Sequence, residues 1–129
     1  LEMQNIFLEG TLLKPNMVLS GKSAKLRANT TEVAQKTVEC LLNNVPHSVP
    51  GIVFLSGGQS DEEATTNLNT INQVAKTLNA PWELSFSYGR GLQAAPLKAW
   101  LGKETNIPAA QSSFFDRAKL TSIARQGLL

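Results

Sequence analysis

The sequence is poor in the residues that most often announce a site, with one cysteine, one histidine and one tyrosine in 129 positions. Cys40 has no partner in the chain, so an intrachain disulfide framework and a cysteine metal cluster are both excluded. That usage fits a reducing compartment. No His, Cys, Asp and Glu residues fall at ligand spacing, and nothing suggests a metal. Long apolar runs are missing too: none approaches the ~20 residues of a membrane span. Charge of one sign is scarce, the formal net charge being +2 without clustering. The chain therefore offers no electrostatic case for nucleic acid or a membrane surface. It also lacks internal repeats and low-complexity segments. What is left, with 42% hydrophobic residues, is ordinary globular composition.

The patterning within that composition alternates. Residues 6–14 have the character of a strand, stopped by Pro15, which cannot donate a backbone hydrogen bond. A polar, basic loop follows, "SGKSAKLRANTT". Asn29 with Glu32 three residues on marks a helix start, and Ala34, Val38, Leu41 and Val45 repeat at helical spacing. "VPHSVPG" ends that helix. Ile52 to Leu55 form an unbroken apolar run, as a parallel strand covered on both faces requires. Ser60 and Glu63 form a second capping box, and Ala64, Leu68, Ile71, Ala75 and Leu78 mark another amphipathic helix. Trp82, Leu84, Phe86 and Tyr88 then alternate with Glu83, Ser85 and Ser87, a strand with bulky residues on one side. Helices over about 92–101 and about 106–125 complete a β-α-β-α-β-α order, which predicts an α/β fold with a parallel sheet and helical crossovers. No linker divides the chain.

In parallel α/β proteins, reactive groups collect at the carboxyl ends of the strands. Three clusters stand there: Lys14, then Ser56-Gly57-Gly58-Gln59-Ser60, then Ser87-Tyr88-Gly89-Arg90. A glycine-rich turn entering a helix offers unobstructed N–H groups and a positive helix end to an anion. An arginine beside it adds a bidentate donor suited to phosphate. A lysine one strand earlier would face the carbonyl of a phosphorylated substrate. Each cluster also has a plain structural alternative. "SGGQS" serves equally as a tight strand-to-helix turn, Arg90 as the partner of a helix carboxylate, and Lys14 as a solvated strand end. Glu9, a charge inside the first strand, fits either an ion pair or a site. His47, in a proline-flanked loop, is read as a surface residue, and Cys40 as structural rather than catalytic.

Four segments, "LEGTLLKPNM", "GIVFLSGGQSDEEATTNLNTIN", "SFSYGRGLQAAPLKAW" and "AAQSSFFDRA", taken in order over nearly the whole chain, resemble class I fructose-bisphosphate aldolase. The resemblance implies a (β/α)8 TIM barrel, of which residues 1–129 hold strands six to eight with their helices and no second domain. It makes Lys14 the residue that forms a Schiff base with the ketose. It makes Ser56, Gly57, Gly58, Ser87, Gly89 and Arg90 the binding site for the C1 phosphate. The implied reaction is cleavage of fructose 1,6-bisphosphate to dihydroxyacetone phosphate and glyceraldehyde 3-phosphate, in glycolysis, gluconeogenesis or carbon fixation. No metal and no cofactor are implied. The implied partner is a small sugar phosphate, with neither nucleic acid nor membrane, in a cytoplasmic or plastid homotetramer. Gly91, where the family pattern has alanine, departs from it and should loosen the following helix by up to ~1 kcal/mol. The loop over residues 19–31 also differs, and carries no family chemistry.

The chain begins "LEMQNIFLEG", without an initiator methionine, as a piece cut from a longer protein would. The family's general acid/base glutamate, and a further carboxylate and lysine around the cleaved bond, belong to earlier strands. Its tyrosine-ended tail has no counterpart before Leu129. Two other readings stand beside the lyase. One is another Schiff-base barrel such as transaldolase, against which "LSGGQS" paired with "SYGRGLQ" argues. The other is a non-catalytic aldolase fragment lacking the general acid/base.

Overall fold

Strand and helix alternate because the hydrophobic period switches along the chain from two to about 3.6 residues and back. The computed structural model describes residues 2–129. Among these, the strands are β1 (Leu12–Leu13), β2 (Gly51–Phe54) and β3 (Glu83–Phe86). The helices are α1 (Thr30–Asn44), α2 (Asp61–Thr77), α3 (Arg90–Trp100) and α4 (Ile107–Arg125). All three strands are parallel and lie in the order β1-β2-β3. Leu13 pairs with Ile52 and Ile52 with Leu84. Backbone bonding runs one step beyond the strands, from Leu55 N–H to the Pro15 carbonyl at 3.1 Å and from Ser87 N–H to the Phe54 carbonyl at 2.9 Å. The α/β fold with a parallel sheet and helical crossovers is the one the sequence predicts.

The helix starts are those the capping residues specify. Asn29 accepts the Glu32 N–H at the head of α1. At the head of α2, the Ser60 side chain accepts the Glu63 N–H while the Glu63 carboxylate accepts the Ser60 N–H. One face of each helix then meets the sheet. Val33, Ala34, Val38 and Leu41 from α1 join Ala64, Leu68, Ile71 and Ala75 from α2 against the fully buried Ile52 and Phe54. Trp82, Leu84 and Tyr88 extend this core. Trp82 also donates from Nε1 to the Pro46 carbonyl at 3.0 Å, and His47, exposed as expected, meets its ring edge-on. Cys40 is exposed on α1.

Three expectations need correction. Residues 6–14 are not one strand: Leu8–Gly10 form a 3-10 turn and only Leu12–Leu13 pair. The physical reason is the partner. β2 begins at Gly51, opposite Leu12, so residues before Leu12 have no strand to bond with. They fold locally instead, the Leu8 carbonyl accepting both the N–H and the hydroxyl of Thr11 at 3.0 and 2.8 Å. Second, β2 is not covered equally on its two faces. Ile52 and Phe54 are fully buried under the helices, while Val53 and Leu55 on the opposite face are half-buried. Third, Leu78 lies outside the α2 stripe, at its C-cap, and is half exposed.

The sheet face away from the helices is therefore open, with Leu12 66% exposed and Val53 only partly covered. Among the described residues β1 and β3 each pair on one side only. An unpaired edge beside exposed apolar surface templates association between copies. A polypeptide limited to residues 1–129 should therefore self-associate, its sedimentation coefficient rising with concentration. A monomer across the micromolar range would contradict this account of the open face.

Candidate functional site

The parallel register brings the ends of all three strands to one side of the sheet, and a cleft of about 450 Å³ opens there. Lys14, Ser56, Gly57, Gly58, Ser87, Gly89 and Arg90 all line it, joined by Leu55 and Lys22. The residues singled out from three separate segments thus share one space. Among the described residues neither Lys14 nor Arg90 forms an ion pair, and both are exposed. The helix-carboxylate partner considered for Arg90 is not found. Glu9 lies apart from the cleft, exposed in the 3-10 turn and outside the ion pairs of the described residues.

The turn after β2 is shaped by two glycines in the left-handed region, Gly57 at φ +63 and Gly58 at φ +79. Its conformation is braced by Gln59. That side chain donates to the Ser56 carbonyl at 2.8 Å and reaches Met17 Sδ at 3.5 Å, while Asn67 of α2 donates to its oxygen at 2.7 Å. Asn16, whose carboxamide oxygen is held by the Met17 N–H at 3.0 Å, packs directly against Gly57. Among the described residues the N–H groups of Gly57, Gly58, Gly89 and Arg90 donate to no acceptor within the chain. They are free to meet an anion.

The two helix ends at the cleft are electrostatically unlike, which corrects the expectation that the turn before α2 presents a positive helix end. α2 is closed by its own Ser60–Glu63 box and carries Asp61, Glu62 and Glu63 in its first turn. Those carboxylates already occupy its positive end. α3 has no side-chain cap at Gly89 and no acidic residue in its first turn. The open helix end is therefore α3, and it carries Arg90. Lys22, missed in the sequence, joins the site, and Tyr88, already placed in the cluster after β3, braces it. Lys22 adds a second ammonium group from the loop after β1, and its only signal was a basic loop following a strand end. Tyr88 donates to the Ala64 carbonyl at 3.0 Å, tying the β3–α3 turn to α2. Burial pushes its phenol well above the ordinary tyrosine range, with Arg117 opposing the shift. Gly91, expected to loosen α3, has a packing reason. A Cβ there would stand 3.3 Å from Tyr88 side-chain atoms.

A second cavity, of about 440 Å³, lies around Trp82, Glu83 and Arg125. It sits at the amino end of β3, and its charged side chains are engaged within the chain, Arg125 with Glu83 at 3.0 Å and Lys76 with the Gln126 carbonyl. The candidate site is the cleft on the carboxyl side.

The turn makes a sharp stability prediction. A methyl group at Gly57 would overlap the Asn16 carboxamide, whereas one at Gly58 would meet nothing within 4 Å. Both positions carry the ~1–2 kcal/mol left-handed cost. Gly57→Ala should therefore lower the unfolding free energy more than Gly58→Ala in denaturant titrations. Equal losses would contradict the close approach of Asn16.

The family model described as fructose-bisphosphate aldolase class-I matches residues 1–129. The chain is 56% identical over 123 residues to the non-muscle fructose-bisphosphate aldolase of Lethenteron camtschaticum, covering 95% of this chain and 33% of that protein. It is 55% identical over the same length to fructose-bisphosphate aldolase B of Gallus gallus, with the same coverage. Among solved structures, it is similar to the fructose-bisphosphate aldolase of Plasmodium falciparum, crystallised with TRAP and a small-molecule inhibitor. That match has a TM-score of 0.90 at 47% identity, over 95% of this chain and 35% of the other. The chain thus spans about a third of the length of these relatives. With the three-strand parallel sheet and the ordered motifs around its cleft, these likenesses establish that the chain belongs to the class I fructose-bisphosphate aldolase family.

Proposed function

We propose that the protein cleaves fructose 1,6-bisphosphate to dihydroxyacetone phosphate and glyceraldehyde 3-phosphate, with Lys14 as the Schiff-base residue. The observation that carries this reading is the sharing of one cleft by Lys14 and both anion-suited segments, Ser56–Gly58 and Ser87–Arg90. A phosphate held by the N–H groups of Gly57, Gly58, Gly89 and Arg90 and by the Arg90 guanidinium fixes one end of the ketose. Its carbonyl then stands at the Lys14 amine. Binding energy gathered at the phosphate, remote from the reacting bond, is what places that carbonyl.

The chemistry explains why an amine is needed. The unprotonated Lys14 nitrogen adds to the C2 carbonyl, and water leaves to give an iminium. The positive nitrogen accepts the electron pair of the C3–C4 bond as a base takes the C4 hydroxyl proton. Glyceraldehyde 3-phosphate departs, leaving an enamine on Lys14. Protonation at C3 and hydrolysis release dihydroxyacetone phosphate and restore the amine. Such proton transfers contribute ~10²–10⁴-fold in rate. Among the described residues, none that lines the cleft is a carboxylate, so this reading assigns the base to barrel strands outside residues 1–129. The same strands would cover Leu12 and Val53, the chain supplying strands six to eight of a closed barrel.

The lack of a carboxylate in the cleft also favours a second reading, a non-catalytic aldolase-derived fragment. The two readings part on turnover, and the site itself is tested by trapping. Borohydride reduction of the expressed protein with dihydroxyacetone phosphate should add one label, on the peptide holding Lys14. Lys14→Met should abolish it. A label on Lys22 or Lys25 instead would overturn the assignment. Residues 1–129 expressed alone should show no measurable cleavage, and cleavage at an ordinary enzymatic rate would contradict an external base.

A further inference from the structure

The Ser56–Gly58 turn and the Gly89–Arg90 helix start belong to different β/α units, yet the first turns behind them are pinned by one side chain from a third place. Arg117 of α4 donates from Nε to the Gly91 carbonyl of α3 at 3.1 Å. From Nη2 it donates to the Asp61 carbonyl of α2 at 3.2 Å and to Thr65 Oγ1 at 2.9 Å. Its Nε also stands 3.7 Å from the Asp61 carboxylate, with the Arg117 side chain only 11% exposed. Asp61 directly follows the "SGGQS" turn, and Gly91 directly follows Arg90.

We propose that Arg117 is a positioning residue for the cleft: its guanidinium sets the separation of the two phosphate-binding segments without touching the phosphate. This rests on the reading that those segments bind phosphate. A guanidinium suits the task because its donors lie in one rigid plane and reach acceptors on two elements at once. Lysine has a single flexible nitrogen and cannot keep both spans. Four N–H groups on two turns bind one phosphate only while the turns keep their distance, and small displacements of positioning groups are costly. Tyr88, donating from the β3–α3 turn to Ala64 of α2, ties the same two units, while Arg117 bonds to α3 itself at the Gly91 carbonyl.

The test compares the concentration of dihydroxyacetone phosphate that half-saturates borohydride trapping with that of unphosphorylated dihydroxyacetone, in the expressed protein. Arg117→Lys should raise the phosphorylated value about tenfold or more while moving the unphosphorylated one less than about twofold. A purely structural arginine would weaken both alike through the folded fraction, and that outcome overturns the proposal. Arg90→Ala is the control for the underlying reading. If it leaves the ratio of the phosphorylated to the unphosphorylated value unchanged, the phosphate site is misassigned; if it raises that ratio and Arg117→Lys does not, the positioning role alone fails. Should Arg117→Lys fail to fold, Thr65→Val decides, since it removes one Arg117 acceptor and keeps the side-chain shape. A several-fold rise in the ratio of the phosphorylated to the unphosphorylated value supports the proposal and an unchanged ratio overturns it.

Discussion

The parallel pairing of Leu13 with Ile52 and of Ile52 with Leu84 is the constraint on which the rest depends. Side chains alternate across a strand, so a slip of one residue exchanges its two faces. In the observed register Leu13, Ile52, Phe54 and Leu84 meet the helices, and Leu12, Lys14 and Val53 take the other side. Slipping β1 by one residue would turn the Lys14 amine toward the buried core and expose Leu13. Burial of an unpaired ammonium group is costly enough to forbid that arrangement. The apolar face thus places the lysine by exclusion. The same register delivers all three strand ends to one side, where the cleft lies.

Electrostatics then divides the cleft. The Ser60–Glu63 box makes α2 a stable, self-sufficient helix start, and three carboxylates in its first turn complement its dipole. In the proposed site its contribution to anion binding comes from the glycine turn before the helix, not from the helix end. α3 is the reverse case, uncapped and without acid in its first turn. One helix start is closed by its own side chains and the other is left open. Arg117 joins the two.

The legible parts of the chain were those carried by local rules. Capping residues located the starts of α1 and α2, and the alternation from Trp82 to Tyr88 located β3 and its buried side. Lys14, the glycine turn and Arg90 were legible because strand ends in parallel sheets gather by topology. Residues 6–14 misled because a strand needs a neighbour, and only Leu12 and Leu13 face one. Leu78 misled because helical spacing continues past the helix end. Lys22 carried no periodic signal. Arg117 carried none either, since its three acceptors lie 26 to 56 residues away in sequence. Only tertiary packing brings them to one guanidinium.

The central claim is that one cleft holds both ends of a short phosphorylated ketose, the carbonyl at Lys14 and the phosphate between two turns. A crystal structure of the expressed protein, reduced with borohydride in the presence of dihydroxyacetone phosphate, tests it most directly. The account predicts continuous density from Lys14 Nζ to C2 of the ligand. It also predicts the phosphate within hydrogen-bond distance of the Gly57, Gly58, Gly89 and Arg90 N–H groups. An adduct on another lysine, or a phosphate lying away from those groups, would contradict it.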